Sequence, residues 1–182
     1  MKNSVKLLSA ALLSLAIAGC VLTPRSQQQT AYYDLAIPQP DTTVNFLKIA
    51  AVNNDTPAQS RMFFRAKNNR IEQDSLNCWI QPPERMLQRY LTQKFQQTVQ
   101  TDSANTVAVR CSINAFEFDI TRSEAFLSLK CTFIKNSLRK DELLTVREKL
   151  TGRKPAELAA AMNKAVENLA GKLAAAAKNL NR

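Results

Sequence analysis

The sequence predicts an α/β fold, a single compact domain in which a mixed, mostly antiparallel sheet has two main helices packed on it. Apolar and polar residues alternate through 107–120 and again through 125–133, which is typical of paired strands. Two later segments that open with proline, at Pro82-Pro83 and at Pro155, carry apolar residues at helical spacing. The chain shows no internal repeat and no second domain, so residues 31–182 are predicted to fold as one unit.

Four short strands are predicted before the first helix. Each is rich in apolar residues and is bounded by proline, asparagine or aspartate. Asn68-Asn69 forms a turn, after which the fourth strand returns antiparallel to the third. The predicted strands are 31–37, 46–52, 62–66 and 70–77.

Both predicted helices begin with the same pattern, a proline followed closely by a glutamate. A proline in the first turn forfeits no hydrogen bond, and the glutamate close behind it complements the positive end of the helix. In the first helix Met86, Leu87, Tyr90 and Leu91 share one face. The second helix is rich in alanine, and its apolar stripe is predicted to pack on the sheet of its own domain or to lie in the groove of a partner.

The long alternating hairpin is the clearest β signal. The inward parity changes near Ala115-Phe116, which predicts a β-bulge there. Residues 121–124 form the turn, and a further strand is predicted over 143–151, ending before Gly152.

The N-terminus has the features of an exported lipoprotein. Lys2 and Lys6 precede a short apolar stretch, 7–18, that is too short to span a bilayer. Ile17-Ala18-Gly19-Cys20 resembles the bacterial lipobox, in which the cysteine receives diacylglycerol and, after cleavage, an N-acyl chain. A buried cysteine and a retained signal anchor are the less favoured interpretations.

We therefore predict a signal peptide over 1–19 and lipidation at Cys20. A tether over 20–30 then leads to the domain, since this stretch is polar and lacks apolar periodicity. Val21 rather than Asp follows the cysteine, and the resemblance to enterobacterial lipoproteins implies that this favours passage to the outer membrane. The protein is accordingly predicted to lie in the cell envelope, lipid-anchored in the outer membrane and facing the periplasm.

The chain is basic, with 25 Lys and Arg against 15 Asp and Glu. Loss of Lys2 and Lys6 with the signal leaves 23 basic residues and a net charge of about +8. Anionic lipid headgroups or lipopolysaccharide phosphates are possible partners, and nucleic acid is not expected outside the cytoplasm. A basic surface that is merely solvated is the alternative, because the charges form no run.

Three cysteines remain once Cys20 carries lipid, and an exported compartment permits disulfides. Cys111 and Cys131 share the inward parity of adjacent hairpin strands, so they form one candidate pair. Pairing of Cys78 with either of them, and buried free thiols, are the alternatives.

Residues for catalysis are scarce. The chain has no histidine and three glycines, and its cysteines lack zinc-type spacing, so no metal site and no catalytic residue is predicted. Glu117 and Asp119 share a strand face and could form a carboxylate pair, but solvated strand charges are the favoured interpretation. We predict a protein that is not an enzyme and has no cofactor beyond the lipid on Cys20.

The order of the motifs resembles a known family. Tyr32-Tyr33-Asp34-Leu35 follows the tether, Cys78-Trp79-Ile80-Gln81-Pro82-Pro83 leads directly into a helix, and a long hairpin and a C-terminal helix complete the chain. From Tyr32 to Lys178 the sequence resembles the ABC-type transport auxiliary lipoproteins, which include the lipoprotein of the paraquat-inducible lipid-transport system.

The resemblance implies a role beside an ABC permease and a mammalian-cell-entry (MCE) protein, which forms a periplasmic tunnel for phospholipid. The lipoprotein would dock the tunnel at the outer membrane. A periplasmic lipid carrier, with an acyl chain held between helix and sheet, and a general envelope-assembly lipoprotein are the alternatives. The candidate partner contacts are the outward ring of Tyr32 or Tyr33, and Trp79 if it is exposed rather than a plug of the core.

Overall fold

A computed structural model describes residues 29–95 and 106–181. The predicted signal peptide, Cys20 and the tether as far as residue 28 lie outside the described residues. The strands are β1 (Ala31–Tyr33), β2 (Leu47–Asn54), β3 (Arg61–Arg65), β4 (Ile71–Trp79), β5 (Val107–Asp119), β6 (Glu124–Lys135) and β7 (Leu138–Lys149), and the helices are α1 (Pro83–Lys94) and α2 (Pro155–Asn181). The predicted fold class is confirmed.

The seven strands form one mixed sheet around β5. On one side β5 pairs antiparallel with β6, and β6 pairs antiparallel with β7. On the other side β5 pairs in parallel with β2 along its first half and with β3 at its end. The predicted antiparallel return of β4 along β3 is confirmed, and β1 adds in parallel to the outer side of β4.

The predicted bulge in β5 is present. The register with β6 shifts between Ile113 and Ala115, close to the predicted position. Because of this shift, Ile113 and Phe116 both point toward the helices although they are an odd number of residues apart. The bulge therefore keeps the whole helix-facing side of a 13-residue strand apolar.

Both helices cover the same side of the sheet. Helix α1 packs on β2, and α2 lies across β6 and β7 with some contact to β5. Met162, Leu169 and Leu173 of α2 are fully buried, so its apolar stripe packs on the sheet of its own domain. Met86 and Leu91 of α1 join the same continuous core. No helix among the described residues is long and apolar enough to cross a membrane.

Most predicted strand boundaries lie within two residues of the observed ones, and two are wrong by more than that. Strand β1 ends at Tyr33 rather than at residue 37, because the N–H of Ala36 donates to the side chain of Asn163 on α2 and the chain leaves the sheet. Strand β7 begins at Leu138 rather than at residue 143. Its charged start, 138–142, shows no apolar alternation because it forms an outer edge that is largely exposed.

Candidate functional site

The N-terminal strand β1 forms one outer edge of the sheet. Tyr32 lies opposite Cys78 and Tyr33 opposite Trp79, and the N–H of Ile80 donates to the carbonyl of Tyr33 at 2.8 Å. Within the described residues β1 has a neighbouring strand on one side, and its other main-chain edge is open. Such an edge can accept an additional strand from a partner.

Large apolar side chains are exposed around this edge. Tyr32 is 67% exposed and Ile80 is 55% exposed, while Ile37, on the segment that follows β1, is 85% exposed. Tyr33 is half-buried against the core, as alternation along a strand requires. We call the open edge of β1, together with the exposed side chains of Tyr32 and Ile80, the β1 surface.

The chain that follows β1 is fixed to both helices. Asp34 forms an ion pair with Arg89 of α1, and Arg89 also donates to Gln81 at 3.1 Å. The side chain of Asn163 on α2 accepts from the N–H of Ala36 at 2.7 Å. These contacts at Asp34 and Ala36 hold the backbone just before Ile37, which lowers the entropy that this segment would lose on binding.

The ring of Tyr90 lines a hollow of about 220 Å³ beside this segment. Burial, together with the nearby charge of Glu167, raises the pKa of Tyr90. The phenol therefore stays neutral and adds no charge to the β1 surface at physiological pH.

Trp79 is a core residue and not a partner contact. It is 1% exposed, its ring meets Phe116 edge-to-face at 5.3 Å, and it lies 6.2 Å from the ring of Phe118. This burial removes Trp79 from the predicted contact set, because a partner cannot reach the ring. Trp79 instead fixes the end of β4 on the sheet and so positions Ile80.

Cys111 and Cys131 lie directly opposite each other on β5 and β6, and the structure joins them in a disulfide. Their Cα atoms are 4.1 Å apart and both side chains are buried on the helix-covered face. Cys78 is a free, half-buried cysteine on β4. The disulfide links the two central strands within the core, away from the β1 surface.

Glu117 and Asp119 are not solvated strand charges, so the favoured interpretation of them is wrong. They are 7% and 5% exposed. Arg65 donates from Nε to Glu117 at 2.5 Å, and Asp119 accepts from the main-chain N–H groups of Thr121 and Arg122. The carboxylates hold neighbouring arginines and the β5–β6 turn, which is a structural role.

A basic groove lies at this same end of the sheet. It consists of two adjoining hollows of about 520 and 400 Å³, which share Ala66, Lys67, Asn68 and Thr121. The basic residues that line them are Arg65, Lys67, Arg70, Arg122, Arg147 and Arg153. Sequence reasoning missed this groove because its charges come from separate segments that only the sheet topology brings together.

Within the described ranges, no three residues of the His, Cys, Asp and Glu types lie close enough together to hold a metal ion. Among the residues that the structure describes, the acidic side chains that line the basic groove are Glu72 and Asp119.

Residues 38–174 match the family described as "ABC-type transport auxiliary lipoprotein component". The fold is similar to the crystal structure of an uncharacterized protein, with a TM-score of 0.65 and 12% identity, over 84% of this chain and 99% of that one. It is also similar to protein XCC0632 from Xanthomonas campestris, with a TM-score of 0.58 and 17% identity, over 82% and 86% of the two chains. No curated protein matches the sequence.

Proposed function

Because the chain belongs to the ABC-type transport auxiliary lipoprotein family, we propose that it is a non-enzymatic, lipid-anchored subunit of an MCE/ABC intermembrane lipid transport system. The family is a lipoprotein component of the cell envelope that works with an ABC-type transporter. The proposal adds the position in that system: the domain docks the MCE tunnel at the outer membrane, with anionic lipid as a further partner.

Anchoring is proposed to depend on Cys20. Acyl chains on this cysteine would hold the protein on the membrane, since two or more buried chains give stable attachment. Residues 20–30 would then set the distance between the lipid and β1. Confinement at the membrane raises the effective concentration of the domain near a tunnel that arrives at the same surface.

The observation that carries the docking proposal is the β1 surface. It combines an open strand edge with exposed Tyr32 and Ile80, and it directly follows the tether. A partner strand could add to the main chain of β1 while its side chains cover the two apolar groups. Tyrosine at such a place contributes a large contact area at small entropic cost.

The contacts of the core favour docking over lipid carriage. Phe133, Met162 and Leu169 lie between sheet and helices, and all three are fully buried in one continuous cluster. An acyl chain would have to displace such side chains from a packed interior. A role without catalysis is supported by Glu117 and Asp119, because both carboxylates are engaged in structural contacts.

The test is purification of tagged full-length protein in gentle detergent, followed by mass spectrometry of co-purifying proteins and lipids. The wild type is compared with Tyr32→Ala/Ile80→Ser and with Leu143→Ser, a matched control that alters an exposed leucine on the opposite edge strand. We expect an MCE protein with the wild type and the control, and about tenfold less with the double variant. Equal recovery from all three would remove the β1 surface as the dock, and one lipid per chain without any partner would favour a carrier.

Cys20→Ser tests the anchor separately. We expect this variant to leave the membrane fraction after cell lysis, since its chain can no longer receive diacylglycerol. Unchanged sedimentation with membranes would contradict lipidation at Cys20.

A further inference from the structure

The basic groove carries more positive charge than its own carboxylates neutralise. In the described part of the chain, six basic and two acidic residues line it. Glu117 and Glu124 pair with Arg65 and Arg147 from just outside the lining, and counting both still leaves a net charge of +2. Among the described residues, no carboxylate forms an ion pair with Lys67 or Arg153.

The arginines at one side of the groove are already held in place. Arg147 lies over the ring of Phe126 at 3.9 Å and pairs with Glu124 at 3.2 Å. Asp119 lies 3.8 Å from Arg122 and 3.9 Å from Arg147. Guanidinium groups fixed in this way lose little entropy when they bind an anion, and their fork geometry suits phosphate oxygens.

The other side of the groove combines charge with an apolar surface. Ala66 and Ile120 line the larger hollow together with Lys67, Arg70 and Arg153. Arg153 itself donates to the carbonyl of Ile120 at 3.4 Å. A ligand that carries a phosphate beside a short apolar portion fits this combination better than a simple inorganic ion does.

The direction of β1 places the groove toward the tether. Since β1 is parallel to β4 and Ala31 lies opposite Asn77, the chain enters β1 from the end of the sheet where Ile71 begins β4. Ile71 adjoins Arg70, which lines the groove. Asn77 and Ile71 are six residues apart on β4, or about 20 Å. The eleven residues of 20–30 can span at most about 40 Å, so the groove is within reach of the anchoring membrane.

We propose that the basic groove binds the phosphate group of an anionic phospholipid in the membrane that anchors the protein. The orientation part of this inference rests on the proposed lipidation of Cys20. Lys67, Arg70 and Arg153 bind the phosphate, and Ala66 and Ile120 contact the glycerol and the first part of the acyl chains. Binding there turns the domain so that the groove end of the sheet faces the membrane.

The test is a calorimetric titration of the full-length protein in neutral detergent with dihexanoyl phosphatidylglycerol, after subtraction of a protein-free titration. The variant is Lys67→Gln/Arg70→Gln/Arg153→Gln. The matched control, Lys48→Gln/Lys130→Gln/Lys164→Gln, removes the same charge from exposed positions outside the groove. We expect about tenfold weaker binding by the groove variant and unchanged binding by the control.

Parallel titrations distinguish the sources of the anion. Weaker binding of both inorganic phosphate and dihexanoyl phosphatidylcholine than of phosphatidylglycerol supports an anionic phospholipid. Phosphate that binds as tightly as the lipid overturns the lipid assignment, and equal lipid binding by wild type and groove variant overturns the site.

Arg153→Gln alone provides a second variant if the triple variant unfolds at a lower temperature than the wild type. Neither experiment requires an MCE protein. If the groove variant binds lipid as the wild type does, the docking proposal is unaffected. If no MCE protein co-purifies, the lipid-binding proposal is unaffected.

Discussion

The two faces of the sheet differ in polarity and in burial. The face beneath α1 and α2 is apolar along its whole length, and Leu127, Leu129 and Phe133 on β6 are fully buried there. On the opposite face of the same strand lie Phe126, Ser128 and Lys130, which range from buried to exposed. Burial of apolar area is the main stabilising contribution, so the helix-covered face must supply most of the stability.

The open face is not uniformly polar. At the end that carries Arg65, Glu117, Asp119 and Arg147, ion pairs lie where the covered face has apolar contacts. The molecule thus separates a covered face that determines folding from an open face and a strand edge that remain available for binding. Variants on the covered face should consequently lower the free energy of unfolding more than variants at exposed positions of the open face do.

The largest expected effect is on the covered face. Trp79→Ala removes a ring that is 1% exposed and packs against Phe116, so it should lower the free energy of unfolding by about 3–5 kcal/mol. Chemical denaturation followed by circular dichroism measures the loss. Leu143→Ala, on the open face at 64% exposure, should change the same quantity by less than about 0.5 kcal/mol. Equal losses for the two variants would contradict the division between the faces.

The second-largest expected effect on the free energy of unfolding comes from removal of the disulfide. Cys111 and Cys131 are 20 residues apart, and opening a loop of that length should lower the free energy of unfolding by about 3 kcal/mol. We expect Cys111→Ala/Cys131→Ala to reproduce the effect of a reducing agent on the wild type. The reductant should leave the midpoint of that double variant unchanged, whereas Cys78→Ser should respond to it as the wild type does. A reductant that has no effect on the wild type would show that the two thiols are not joined in solution.

The regular parts of the covered face could be predicted from the sequence. Apolar and polar residues alternate within 107–115, 116–120 and 125–133, because burial on one face imposes a period of two on the side chains. The change of parity near Ala115 indicates the bulge. The helix starts at Pro83 and Pro155 could also be predicted. A proline in the first turn and the glutamate that follows it favour a helix start through local contacts, without help from distant segments.

What escaped prediction depends on contacts between distant segments. Nothing in Tyr32 or Cys78 indicates that β1 pairs in parallel with β4, because main-chain pairing is independent of side-chain type. Glu117 looked solvated by its alternation, but Arg65 reaches it from β3, 52 residues earlier. The basic groove could not be predicted for the same reason, because its residues come from separate segments of the chain. The net charge suggests an anionic partner but does not indicate where the partner binds.

The third effect tests whether the open face is ordered by its ion pairs. Glu117→Gln leaves the half-buried Arg65 without its charged partner and should lower the free energy of unfolding by about 1–3 kcal/mol. In a double-mutant cycle, Arg65→Met combined with Glu117→Gln should cost less than the sum of the two single changes. Additive losses would mean that the pair is not coupled and that the order at this end has another origin.

The smallest effect concerns acid stability at the outer strands. Burial raises the pKa of Asp74, but the N–H groups of Leu76 and Asn77 and the side-chain amide of Asn77 outweigh it and hold the pKa below its ordinary value of 3.8. A carboxyl with a lowered pKa in the folded state contributes stability above pH 3.8, and this contribution is lost as the pH falls through the folded value.

Asp74→Asn should therefore lower the free energy of unfolding at pH 7 by less than about 1 kcal/mol, because the amide oxygen still accepts one main-chain N–H. Below pH 3.8 the difference from the wild type should shrink as Asp74 itself becomes protonated. Denaturation midpoints measured between pH 7 and pH 2.5 check the trend, with Asp55→Asn as an exposed comparison. A difference that stays constant over this range would show that Asp74 acts through its shape and its neutral hydrogen bonds, because a contribution from its charge must disappear when the carboxyl is protonated.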